Sequence, residues 1–267
     1  QHCFGIQPMW NSIESQMRGG GTTVYILSDE DIIASRDMSN AFDRLNACEE
    51  IVFNNFQLTD LTASLSNFFY HCASLQSVDL TNFDTSNVYN MGQMFAGCGS
   101  LTEIDFSHFS TESVSSMSYL FGNCSSLTSL DLSYWNTSTV RDMNHLFYSC
   151  TGLESINLES FDTSSVTNMA GMFYACQSLE TIDLYTFVTT NVTNMSEMFR
   201  RCSSLENLNL STLDTSSVTN MTNMFNGCSA LTEINLSNFD TSHVTNMNNM
   251  FSNCSSLAEI DLTPLDT

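Results

Sequence analysis

"NMFNGCSALTEINLSNFDTSHVTNMNNMFSNCSSLAEIDL" runs from Asn223 to Leu262 and states nearly the same phrase twice: Met-Phe-x-x-Cys-x-x-Leu-x-x-Ile-x-Leu. Outward from this stretch the phrase recurs at a fixed step. Cysteine falls at Cys72, Cys98, Cys124, Cys150, Cys176, Cys202, Cys228 and Cys254, always 26 residues apart. Phe69, Phe95, Phe121, Phe147, Phe173, Phe199, Phe225 and Phe251 precede them by three positions, and Leu75, Leu101, Leu127, Leu153, Leu179, Leu205, Leu231 and Leu257 follow by three. An aromatic or leucine column closes this half of the unit: Phe83, Phe109, Trp135, Phe161, Phe187, Leu213, Phe239 and Leu265. Columns in register over this length mean stacked structural repeats, each unable to bury its apolar face alone.

Each unit reads as two elements. In "LTEIDFS" (Leu101 to Ser107), apolar Ile104 and Phe106 alternate with polar Glu103 and Asp105, the period of a short strand with one buried face. In "TSSVTNMAGMFYAC" (Thr163 to Cys176), the apolar Val166, Met169, Met172, Phe173 and Cys176 recur at three- and four-residue steps, a helical stripe. The Asp-Thr-Ser triplet before that stripe supplies N-cap residues. The expected fold is α/β: a leucine-rich-repeat solenoid with one short strand and one short helix per 26-residue repeat. Strands about 4.8 Å apart against helices roughly 10 Å wide would put the parallel strand ladder on the concave side.

Residues 1–37, with Trp10 and the Gly19–Gly21 turn, read as an N-terminal cap. Residues 38–267 read as the solenoid, one degenerate plus about eight regular repeats, with no evident C-terminal cap. In the degenerate repeat Phe42 takes the phenylalanine place, Leu45 the cysteine place and Cys48 the leucine place, with Ile51, Phe53 and Phe56 continuing the apolar columns. A metal ligand or an obligatory bridge would not trade places with leucine. The cysteine column therefore reads as structural, a row of small buried thiols, with an occasional bridge between neighbouring coils left open. One cysteine per coil also lacks the converging pairs that zinc needs. Cys3 stands outside the column and is a candidate disulfide partner for Cys48.

The chain has 267 residues, six Lys+Arg against 29 Asp+Glu and a net charge of −23. That balance excludes nucleic acid and an anionic membrane surface as partners, and leaves cations and basic surfaces. No apolar run reaches the roughly 18 residues of a membrane span, so no membrane insertion is expected. The acidic column Asp79, Asp105, Asp131, Asp183 and Asp261 alternates outward with Asn157, Asn209 and Asn235 in the same place. It is either a solvated face or a weak Ca2+ candidate, the one ion and the one cofactor the sequence admits. A regular threonine row on a solenoid also admits an ice-binding plane, with capping as the simpler reading. Sequons occur at Asn123, Asn136, Asn191, Asn194, Asn209, Asn220, Asn235 and Asn253. Asn136 and Asn191, in the turn before the apolar stripe, are the better-placed candidates for N-glycosylation. The five histidines share no column and no catalytic constellation stands out, so no enzyme is expected.

"NMSEMFRRCSSLENLNLSTLDTSSVTNMTNMF" (Asn194 to Phe225) resembles the BspA-like leucine-rich repeats of microbial surface proteins, and "VYILSDEDIIASRDMSNAF" (Val24 to Phe42) resembles their lead-in. The resemblance covers roughly residues 22 to 267. It implies a secreted or cell-surface protein that mediates adhesion or protein–protein interaction, its partners being proteins or glycans of a surface or matrix. The start at Gln1 fits a mature end after signal removal, or equally a cropped chain. The alternative reading is a subunit of an extracellular filament, self-associating end to end through open solenoid faces.

Overall fold

The computed structural model describes residues 23–26, 32–34, 36–53, 56–58 and 60–265. Cys3 and its proposed pairing lie outside these. The strands are β1 (Thr23–Ile26), β2 (Ile32–Ile33), β3 (Glu50–Phe53), β4 (Phe56–Gln57), β5 (Ser77–Val78), β6 (Ser129–Asp131) and β7 (Ser155–Asn157). All pairings are parallel, in the orders β1-β3-β5, β2-β4 and β6-β7. Leu130 lies opposite Ile156 and Ile51 opposite Val78, so successive coils stack in register, one repeat per layer. The ladder already begins at β1, within residues 1–37.

The repeat solenoid is present, but the helix of each repeat is not, and the expected strand forms in only some repeats: the segments that follow Leu101, Leu179, Leu205, Leu231 and Leu257 have none. Among the described residues there is no helix. The segment read as a helical stripe is a run of consecutive β-turns. In the coil around Phe147, the Leu146 N–H donates to Met143 O, Tyr148 to His145 O, Cys150 to Phe147 O and Leu153 to Cys150 O, each closing a four-residue β-turn. The alternate N–H groups leave the coil: Met143 donates to Asn168 O, His145 to Ala170 O, Phe147 to Met172 O and Ser149 to Tyr174 O, at 2.7–3.1 Å. A helix keeps its hydrogen bonds to itself; these turns share theirs with the next layer.

Such turns need a left-handed residue at regular intervals. Positive φ recurs in two columns four residues apart, for example Gln93 and Gly97, Tyr119 and Asn123, His145 and Ser149, Gly171 and Ala175. Asparagine and glycine, which tolerate this region best, hold many of these places, and among the described residues no β-branched one holds any.

The expected curvature loses its premise with the helices. Phenylalanine rings of successive coils stack on the turn side at 5.4–6.0 Å between centroids, from Phe42–Phe69 to Phe225–Phe251. On the far side Phe161 and Phe187 stand 6.5 Å apart. With no helix among the described residues, nothing forces a concave surface on the strand side. Beyond the paired strands, its inter-coil bonds include long ones such as Thr102 N–H to Gln76 O at 3.3 Å and Thr232 N–H to Glu206 O at 3.5 Å.

One continuous core runs along the axis. Val140, Met143, Leu146, Phe147, Cys150 and Leu153 are all fully buried, and the same columns are buried in the neighbouring repeats. The degenerate repeat joins this core as aligned: Phe42 stacks on Phe69 at 5.9 Å, and Leu45, Cys48 and Ile51 are buried. In the last described coil Phe251, Cys254, Leu257, Ile260 and Leu265 are only partly buried.

Candidate functional site

The repeated polar columns each have a definite backbone task. The cysteine column lies in the core, and the nine described cysteines are free thiols. Each S–H of the column donates to the carbonyl of the phenylalanine one coil earlier: Cys72 to Phe42 O, Cys98 to Phe69 O, Cys124 to Phe95 O, Cys150 to Phe121 O, and so on to Cys254 and Phe225 O, at 3.0–3.2 Å. A small side chain carrying a weak donor thus fills the core and satisfies a buried carbonyl. Cys48 donates to Glu50 O instead.

Burial pushes the thiols of Cys72, Cys150 and Cys202 up to about 12 and raises those of Cys98, Cys124, Cys176 and Cys228 as well. Neutral thiols neither bind metal nor attack disulfides readily. The sign of the linkage follows. A folded pKa raised above the unfolded one gives stability that is complete below about pH 8.5 and is lost as pH rises toward the folded value. Urea midpoints are therefore expected to hold level through neutral pH and to fall between about pH 9 and 12. A midpoint that is flat across that alkaline window would contradict the buried, protonated column.

The threonine row is interior. Thr85, Thr111, Thr137, Thr163, Thr189 and Thr215 are all at most 1% exposed. Each donates its hydroxyl to a carbonyl of the next coil, from Thr85 to Ser110 O through Thr215 to Asp240 O, at 2.7–2.9 Å. Thr137, Thr163, Thr189 and Thr215 also accept the N–H of that same residue. Neither the capping role nor an ice-binding plane survives this burial: there is no helix to cap, and the hydroxyls do not face water.

Three further columns form side-chain-to-backbone turns, the oxygen of residue i accepting the N–H of residue i+2. In the Asp-Thr-Ser corner, Asp84, Asn136, Asp162, Asp214 and Asp240 do so at 2.9–3.1 Å. The hydroxyl and then the N–H of the serine two residues on hold Asp84, Asp162 and Asp214 below the usual carboxylate range. In the acidic strand column, Asp79, Asp105, Asp131, Asn157, Asp183, Asn209, Asn235 and Asp261 do the same. This explains why Asp and Asn interchange there: both present the one oxygen the turn needs. The third column, Asn90, Asp142, Asn168, Asn194, Asn220 and Asn246, was not legible as a unit. It marks the line of parallel bridges from Asp37 to Asn246 that zips coil to coil.

Val188 replaces the corner aspartate in one repeat and is 44% exposed. Val188→Asn supplies the missing acceptor for the Thr190 N–H and is expected to stabilise the fold by about 0.5–1 kcal/mol. Thermal melting of the single variant checks this.

Of the two sequons singled out, Asn136 is exposed and uses only its oxygen, which accepts the N–H and hydroxyl of Ser138. Asn191 is exposed, but its Nδ2 donates to Ser164 O at 2.8 Å, so a glycan there would compete with an inter-coil bond. Asn194, Asn209, Asn220 and Asn235 hold turn positions.

Two surfaces carry chemistry. On the strand face, Asp79, Glu103, Asp105, Asp131, Asp183, Glu233, Glu259 and Asp261 are all exposed. Every described arginine lies outside the strand segments. The turn side carries an aromatic strip: Tyr119 stacks on His145 at 4.3 Å, Tyr148 on Tyr174 at 4.6 Å, and Arg200, paired with Glu197, lies over the Tyr174 ring. Partial burial lowers the His145 pKa and raises that of Tyr119. Among the described residues no three His, Cys, Asp or Glu side chains gather into a metal-binding group, and no helix is long and apolar enough to cross a membrane.

Stacked, in-register coils, each with a run of turns and some with a short strand, define a solenoid repeat protein. More particularly, the chain belongs to the family described as "Mycoplasma protein of unknown function, DUF285", matched three times, over residues 36–131, 116–212 and 175–267. No curated protein matches it. Among solved structures, a Treponema pallidum leucine-rich repeat protein is similar at 20% identity, over 80% of this chain and 79% of that one, with a TM-score of 0.43. A Bacteroides ovatus leucine-rich repeat protein shares 18% identity over 90% and 86%, with a TM-score of 0.23. A leucine-rich cell surface protein of Faecalibacterium prausnitzii shares 16% over 79% and 86%, also with a TM-score of 0.23. Scores this low transfer no geometry; the coil described above stands on this chain's own bonds.

Proposed function

We propose that this protein is an extracellular surface or matrix scaffold that holds a basic partner protein along its strand face. The observation that carries this reading is the charge arrangement. Exposed carboxylates recur in six of the eight regular layers of one face, no arginine among the described residues interrupts them, and the chain as a whole stands at −23. Such a field steers cationic surfaces and repels anionic ones. A face built of the same unit many times offers many weak contacts in a row, which suits an extended partner.

The backbone role of the acidic column makes the test clean. Asn157, Asn209 and Asn235 already hold the turn without a charge. A variant carrying D79N, D105N, D131N, D183N and D261N is therefore expected to keep its circular dichroism and melting temperature. Its binding to a panel of immobilised surface and matrix proteins should fall at least tenfold wherever the parent binds in a salt-sensitive manner. If the variant folds normally and binds as the parent does, the strand face is not the binding surface.

A further inference from the structure

We draw no further inference here: the strongest candidate, the aromatic strip on the turn side where Tyr119 stacks on His145 and Tyr148 on Tyr174 beside Arg200, has its ring faces turned to one another, and nothing in the structure shows what covers its outer edges.

Discussion

Thr137→Val destabilises the protein by about 2–4 kcal/mol, whereas Thr137→Ser costs about 1. Valine matches threonine in shape, so no cavity forms, and the difference comes from the hydroxyl. Thr137 is fully buried; its Oγ1 donates to Asp162 O and accepts the Asp162 N–H, both at 2.9 Å. Valine leaves both part-buried Asp162 backbone groups without their partner, each at roughly 1–2 kcal/mol. Serine keeps both bonds and loses one methyl. A threonine facing water would give the opposite order, since valine there changes little. Urea unfolding of the two variants measures the effect. Hydrogen exchange at Asp162 N–H localises it, because a solenoid can open one layer at a time. Equal stabilities of the valine and serine variants would mean that the hydroxyl ladder contributes nothing.

The repeat, its length and its core were legible in the sequence because burial imposes a strict column on Phe147, Cys150 and Leu153 and on their equivalents. The in-and-out alternation was legible too, since Glu103 and Asp105 face out while Phe106 is buried, although this segment, read as a strand, forms none. The turn run was misread because its period mimics a helix. Turns closing every two or three residues also bring Val166, Met169, Met172 and Phe173 to one side. The distinguishing signal was present in the other residues. Asn67, Asn123, Asn223, Asn249 and Asn253, with Gly97, Gly171 and Gly227, sit where a helix would want alanine, leucine or glutamate. Four-residue spacing of asparagine and glycine in a Ser- and Thr-rich background announces left-handed positions. The buried threonines were not legible. In "DTS" the threonine is buried while its two neighbours are exposed or half-buried, and only the inter-coil bonds decide which. The Asp/Asn interchange was visible, and its cause follows once the column is known to end a strand in a turn.

Ser149 separates the two readings of that segment by sign. Ser149→Gly is expected to stabilise the fold by about 0.5–1 kcal/mol, and Ser149→Val to destabilise it by about 2. Its φ is 55°, and its N–H donates to Tyr174 O at 2.7 Å, so the conformation is locked by the next coil. Glycine adopts this region without the Cβ penalty of roughly 1–2 kcal/mol that any L-residue meets there. Part of that gain is offset by the greater freedom of glycine in the unfolded chain. Valine adds a β-branch, for which positive φ is a true outlier. In a helix interior the first substitution would reverse: glycine ranks below serine there and would weaken the fold by a few tenths of a kcal/mol. Two other repeats carry glycine in the same column, Gly97 and Gly227, at φ 82° and 83°. Chemical denaturation of both variants decides the matter. Loss of stability with glycine would restore the helix to each repeat, and with it the wide convex side that the turn run removes.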